Sequence, residues 1–448
     1  MNRIKKLYMA FAVIGGCLFA SCDSYLDIQP VGKVIPNTLD EYRSLFITAY
    51  NYNMYDRALC EMRTDEVALV ADETDMLSYK NIITWSDANT DASTASFGWE
   101  YYYKAIYYAN AVIDKKDEMA EGSQDDINQL VGEAYLMRAY MHFLLVNLYG
   151  MPYTKEGAPE TKAVPLKWDL DLEKLPSRAT VGKLYEAVLS DIESARGLMN
   201  VKEWEIKYRY RFSVLSVDAL ESRVRLYMGG WQEAYDAAER VLAQKSDLED
   251  FNSEDVNLPN QYQSAEMITA YEQIYSTSTH KVSYVAADFL QKYDAVNDLR
   301  PAKFYGSADE NGNCPVNKVN GTSQYRCSFR TGELYLNSAE AAARLDKLKE
   351  ARARLLQLME KRYTPEGYAQ KVTAVNAMNK EALITEILEE RARELAFEGH
   401  RWFDLRRTTR PAIVRIVGGT TYTLQQDDAR YTLGIPRVAT DANPGLLN

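Results

Sequence analysis

The stretch TEILEERARELAFEGHRWFDLRR, Thr385 to Arg407, decides how the rest of the chain is read. In it Ile387, Leu388, Leu395, Phe397, Trp402 and Leu405 interleave with charges of both signs, the pattern of a helix burying an apolar stripe beneath paired carboxylates and guanidiniums. Glu386, Glu390, Glu394 and Glu398 keep i, i+4 spacing and share one face, with Arg393, Arg401 and Arg407 close by. Such a row can serve acid–base or metal chemistry. Ion pairing within and between helices accounts for it more simply, because structural networks also gather ionisable groups. His400 follows Gly399, where a helix bends or ends, and no second histidine stands at a zinc-motif spacing, so it reads as a packing or hydrogen-bonding residue.

The run Arg393 to Arg407 closely resembles the C-terminal signature of the SusD/RagB family, surface lipoproteins of glycan-uptake systems. Working outward, further segments carry the same resemblance. Trp99 to Asn110 is similar to the family's W..Y..I..aN helix, and Gly132 to Pro152 to its GEA…LRA…yG..P segment. Asp298-Leu299-Arg300 resembles another family motif and reads as an internal ion pair or cap, while Arg430 to Pro436 and Asn443 to Leu446 resemble family endings. The likeness runs from Cys22 to the C-terminus. It implies a mainly α fold: tetratricopeptide-like helix pairs forming a curved scaffold with an irregular, loop-rich ligand-binding face.

The residues support that fold independently. Leu39, Tyr42, Leu45, Phe46, Ala49 and Tyr50 have helical period behind a cap at Asn37 or Thr38. Small Ala and Gly among the aromatics of 99–110 and 128–149 let paired helices approach closely, and the resemblance implies that Trp99 and Asn110 are packing and helix-joining residues. Leu226 to Ala238, with Gly229-Gly230-Trp231 at its turn, resembles a helix-turn-helix unit of tetratricopeptide type. Ala339 to Leu355 repeats it with Asp346-Lys347 in place of the glycines. Arg63 to Phe97, acidic and poorly periodic around Trp85, reads as loop. Asp247 to Arg330 breaks the helical rhythm again, with Tyr262, Tyr271, Tyr275, Tyr284, Tyr293, Tyr305 and Tyr325 among Asn, Gln, Ser and Thr. The expected organisation is a signal segment (1–21) and one domain (22–448), with scaffold at about 38–246 and 331–407, a ligand-facing insert at 247–330 and a tail at 408–448.

Arg3, Lys5 and Lys6 precede an apolar run from Leu7 to Ala20, the pattern of an export signal too short to span a membrane. Phe19-Ala20-Ser21-Cys22 resembles a lipobox. Ile14-Gly15-Gly16-Cys17 competes, but cleavage before Cys22 leaves a polar start, Asp23 to Asp27. Lipidation at Cys22 would tether the protein to a membrane, and the resemblance implies the outer membrane, facing outward. Cys60, Cys314 and Cys327 show no CxxC pair; a Cys314–Cys327 bridge is open, and Cys60 reads as buried. The net charge of −12, with no basic stripe, disfavours nucleic acid.

Phosphate-loop, dinucleotide, nucleophile-elbow and zinc motifs do not occur, and the chain is read as non-catalytic and without a cofactor or metal. A glycosidase's two carboxylates leave no local signature, so a hydrolase stands as the remoter alternative. The 33 Tyr and 6 Trp suit oligosaccharide: sugar C–H groups pack on ring faces while hydroxyls take Asn, Gln, Asp or Arg. For Tyr101 to Tyr108 and Trp231 helix packing is the better reading. The resemblance places ligand on the segment after the first helix, here Arg63, Asp72, Trp85 and Asn89, with Trp85 as stacking platform. Tyr284, Tyr271 and Asn260 of the insert join them as ligand-binding candidates. It also implies a partner, a SusC-like TonB-dependent transporter on which the protein sits as a hinged lid, delivering oligosaccharide or polysaccharide. A peptide-binding RagB-like member and a helical-repeat scaffold are the alternatives.

Overall fold

The first helix shows how local chemistry sets an element. The Thr38 hydroxyl accepts the Glu41 amide at 3.3 Å and the Glu41 carboxylate accepts the Thr38 amide at 3.1 Å, a capping box that starts α1 (Leu39–Tyr50). The computed structural model describes residues 36–52, 54–69, 73–86, 94–171 and 173–447; from Thr38 onward they pack as one compact unit.

After α2 (Asp56–Glu61), the segment read as loop instead holds β1 (Val67–Leu69) and α3 (Glu73–Ile83). Too few apolar residues mark the helical period there. The helix forms because Tyr79, Ile82 and Ile83 bury in the main core, a tertiary contact that overrides weak local preference.

The scaffold is a succession of helices. α4 (Glu100–Asp114) packs on α5 (Gln124–Tyr149), which packs on α6 (Val181–Leu198), then α7 (Val214–Met228) and α8 (Trp231–Leu242). A small hairpin of β2 (Lys162–Pro165) and β3 (Arg178–Thr180) precedes α6. Asn110 and Arg138 join the first pair as expected: the Arg138 guanidinium donates to the Asn110 amide oxygen at 2.8 Å and grips Asp191 of α6 at 2.7 and 2.8 Å.

The insert is less irregular than its composition suggests. It carries β4 (Met267–Thr269), α9 (Thr277–Val282), β5 (Ser283–Val285), α10 (Ala287–Leu290), α11 (Arg300–Phe304), β6 (Cys314–Pro315) and β7 (Phe329–Arg330). Strand β5 pairs antiparallel with β1 and β6, and β4 with β7. Tyr271, Tyr275, Tyr293 and Tyr305 are buried rather than displayed. Tyr275, Tyr293 and Tyr305 pack in a second core with Phe251, Phe304 and Phe397. Cys60, Cys314 and Cys327 are all free thiols, Cys327 buried beside Glu398 at 3.9 Å, so the possible bridge is not formed.

The stack resumes with α12 (Thr331–Arg344) against α8, followed by α13 (Leu348–Glu360) and α14 (Pro365–Ala377). The two quoted helix pairs turn alike. Gly229 ends α7 at φ +76°, and Asp346 takes φ +62° at the equivalent point after α12. Asp tolerates this left-handed conformation better than most side chains, and its carboxylate meets Lys380 at 2.8 Å.

α15 (Lys380–Glu394) and α16 (Arg401–Arg407) contain the deciding stretch. Its glutamates are ion-paired. Glu390 accepts from Arg300 at 2.8 Å, Glu394 from Arg330 and Arg362 at 2.9 Å, and Glu398 from Arg330 at 2.8 Å and Lys318 at 2.5 Å. The Arg300 and Arg393 guanidiniums hold the Glu390 carboxyl down at about 2 against the pull of burial. Arg300 also pairs with Asp298 at 2.7 Å. His400 is buried, and burial together with Arg57 and Arg223 keeps it neutral, well below the usual histidine range. Buried pairs add little net stability over apolar replacements, but breaking one strands its partner; the network therefore fixes how the insert, α12 and α15 register. A final hairpin, β8 (Ile413–Val417) with β9 (Thr420–Leu424), and α17 (Arg437–Ala442) close the chain.

Candidate functional site

The structure disperses the expected ligand residues. Trp85 is 1% exposed, sits at φ +55°, donates its indole N–H to the Arg63 carbonyl at 3.1 Å and carries the Arg415 guanidinium 5.3 Å from its ring centre. With both faces covered it is a structural aromatic, not a stacking platform. Arg63 is buried against it, its guanidinium 4.6 Å from the Trp402 ring and 5.8 Å from Phe97, donating to the Arg430 carbonyl at 2.8 Å. Tyr271 lies in the core, edge-on to Tyr50 at 5.4 Å, and Asn260 is buried, donating to the Lys318 carbonyl at 2.8 Å. Tyr284 is half-buried in β5 between Ala68 and Pro315. Among the described candidates only Arg63 and Trp85 meet, and neither reaches the surface. Asp72, Asn89 and Cys22 lie outside the described residues.

What is open is elsewhere. A cleft of about 870 Å³ runs along α4, within the range of small-ligand sites. Its aromatic wall is a contiguous strip. Tyr52 stacks on Tyr101 with ring centres 5.3 Å apart and meets Tyr108 at 6.2 Å, and Tyr108 meets Tyr107 edge-on at 6.0 Å. Tyr101 is 49% and Tyr107 38% exposed. Burial, with the hydrogen bond to Tyr108, pushes the Tyr52 hydroxyl up to about 12, so it stays a neutral donor.

The helix can present this strip because its two faces divide the aromatics. Tyr102, Ala105, Ile106, Ala109 and Asn110 face the core, and Glu100, Tyr101, Lys104, Tyr107 and Tyr108 face out. The packing reading is right for Tyr102 and wrong for Tyr101 and Tyr107. The signal was available: Tyr101, Lys104 and Tyr108 stand at i, i+3, i+7, a single stripe, but a run of tyrosines does not say which of its stripes is buried.

The floor, Ser96 to Trp99, is anchored from below. Buried Asp56 accepts the Gly98 amide and the Tyr102 hydroxyl, the latter at 2.8 Å, and the Gly98 carbonyl accepts the Tyr149 hydroxyl at 2.5 Å. A methyl group on Gly98 would lie 2.9 Å from the Asp56 carboxylate. Trp99 packs on Tyr103 and Tyr149 at 5.1 and 5.3 Å. The opposite wall is apolar, formed by Leu175, Val438, Ala439 and Leu446, and is tied together by Asn443, which donates to the Pro176 carbonyl at 2.9 Å. Glu100 and Lys104 are the charged groups lining the cleft among the described residues, and they pair at 2.6 Å. No cluster of three His, Cys, Asp or Glu side chains suited to a metal occurs among the described residues.

Two family models divide the chain between them: one described as "Starch-binding associating with outer membrane" matches residues 24–226, and the SusD family model matches 226–444. The chain belongs to the SusD family. A SusD-like protein of Formosa agariphila is 23% identical over 92% of this chain and 93% of its own length. Among solved structures, a SusD superfamily protein of Bacteroides thetaiotaomicron matches with TM-score 0.77 at 23% identity, covering 91% of this chain and 99% of that one. A SusD-like carbohydrate binding protein of Bacteroides vulgatus matches with TM-score 0.68 at 18% identity, covering 92% and 97%. These neighbours share the helical fold. No helix among the described residues is long and apolar enough to cross a membrane.

Proposed function

We propose that this SusD-family protein is an outer-membrane binding lipoprotein, tethered through Cys22, that holds oligosaccharide in the α4 cleft without cleaving it. A SusC-like TonB-dependent transporter would receive the cargo. The observation that carries this reading is the strip Tyr101–Tyr52–Tyr108–Tyr107, exposed beside an open cleft. Ring faces offer a sugar's C–H groups dispersion and electrostatic attraction, and tyrosine hydroxyls, Ser96 and Asn443 stand near for its hydroxyls. Glycoside hydrolysis needs two carboxyl groups flanking the bond; Glu100 is the cleft's one acid among the described residues, which supports capture without cleavage. An open cleft leaves much of the ligand wet, so affinity per site is modest, and several contacts along a polymer compensate.

The apolar wall of Leu175, Val438 and Leu446 favours a second reading, a peptide with apolar side chains. Titration calorimetry against oligosaccharides and against peptide pools separates the two. Glycan heat that disappears in the Tyr101→Ala/Tyr107→Ala double variant supports the first; heat from peptides alone replaces it with the second.

A further inference from the structure

The cleft has an electrostatic character that sets its class of cargo. Its lining cation, Lys104, is occupied: the ammonium lies 2.6 Å from Glu100 and 5.5 Å from the centre of the Tyr101 ring. Arg437, between the lining residues Pro436 and Val438 in sequence, pairs with Asp441 at 3.5 Å. The remaining lining is aromatic, apolar or uncharged polar, and the whole chain carries −12. A uronate carboxylate or sulfate ester entering here would lose water without finding an unengaged guanidinium or ammonium among the described lining residues, and would approach a protein of its own sign. We infer that the cleft selects uncharged oligosaccharides over acidic ones, and that Glu100 is the specificity-determining residue, because it neutralises Lys104, the cation lining the cleft among the described residues. This rests on the cleft being the glycan site.

The strip is also straight. Tyr101 and Tyr108 are seven residues apart on one face of α4, about 10 Å along the axis, with Tyr52 touching both. It therefore takes an extended chain that lays successive rings along a helix, with its faces against the tyrosines.

The test is calorimetry on the purified protein with two sets of oligosaccharides of equal length: neutral gluco-, xylo-, manno- and galacto-oligosaccharides, and oligogalacturonate, oligomannuronate and sulfated galactan. Binding confined to neutral members, lost in Tyr101→Ala/Tyr107→Ala, is the expected result. Glu100→Gln should then raise the affinity for acidic relative to neutral chains by a few-fold, on the order of fivefold, as expected for one exposed unit charge, and added salt should erase that gain. Preference for an acidic chain that still depends on Tyr101 and Tyr107 overturns the charge inference and leaves the cleft reading standing. An unchanged acidic-to-neutral ratio in Glu100→Gln overturns the role of Glu100. Binding indifferent to the double variant, or none from either set, overturns both the inference and the cleft reading.

Discussion

Glu61, at the end of α2, and Glu66, just before β1, form a buried carboxyl pair beneath the turn at 397–401, and replacing Glu61 with Gln should stabilise the protein. Both side chains are fully buried. The Phe397 amide donates to a Glu66 oxygen at 3.2 Å. Burial pushes the Glu61 carboxyl up to about 7 from an ordinary 4.5, opposed by Glu66, the backbone N–H groups of Arg401 and Gly399, and Arg57. Burial and the Glu61 charge push Glu66 well above its ordinary range. Each pH unit of the Glu61 difference is worth about 1.4 kcal/mol, so holding this group ionised in the fold costs on the order of 3 kcal/mol. A folded pKa above the unfolded one means the folded state keeps a proton the unfolded state has lost. Stability should therefore fall as pH rises from about 4.5 to about 7 and then level off with respect to this group. Glu61→Gln keeps the shape, places an N–H donor where the shared proton sat and removes this contribution to the slope. Urea unfolding of wild type and Glu61→Gln at about pH 5 and about pH 8 reads it out: the variant should gain on the wild type as pH rises, by up to the amount above. Parallel pH profiles for the two proteins would refute the reasoning, as would a variant less stable at the higher pH.

Other substitutions test the rest of the architecture. Trp85→Ala should lower unfolding free energy by about 3–5 kcal/mol, the cost of emptying a buried aromatic site, in contrast to an exposed stacking residue, whose loss would leave the denaturation midpoint in place. Glu394→Ala takes from buried Arg330 and Arg362 a carboxylate they share, leaving two interior guanidiniums on Glu266 with only Glu398 besides, and denaturation should report a loss of about 3–5 kcal/mol. Gly399→Ala puts a methyl group 2.6 Å from the Arg57 Cβ at a φ of +75°; both clash and strain oppose folding, and soluble yield and melting temperature should drop together. In cells, Cys22→Ser should move the protein out of the membrane fraction on ultracentrifugation, because lipid attachment requires the thiol.

The helical scaffold was legible because it is written locally. Period in α1, small residues between aromatics in α4 and α5, and a turn signal before Trp231 all specify helix pairs through contacts a few residues apart. The ion pairing of Glu390, Glu394 and Glu398 was legible for the same reason, since i, i+4 spacing alone puts them on one face. The pairing of Asp298 with Arg300 needed only two residues of separation. Even the second helix pair, lacking its glycines, followed, with Asp346 taking the left-handed turn.

The site was not legible, and the reason is physical. Whether a ring packs or projects depends on which neighbours cover it, and those neighbours are distant in sequence. Trp85 is closed over by Arg415 and Arg63, Tyr271 by Tyr50 and Phe212, and the insert's Tyr275, Tyr293 and Tyr305 pack among Phe304, Phe397 and one another, whereas Tyr101 and Tyr107 keep much of their surface exposed. The cleft's far wall comes from Leu175 and the C-terminal helix, joined where the Asn443 amide donates to the Pro176 carbonyl. Composition supplied the rings and periodicity supplied the helices; burial, decided by the whole fold at once, chose which rings remain exposed.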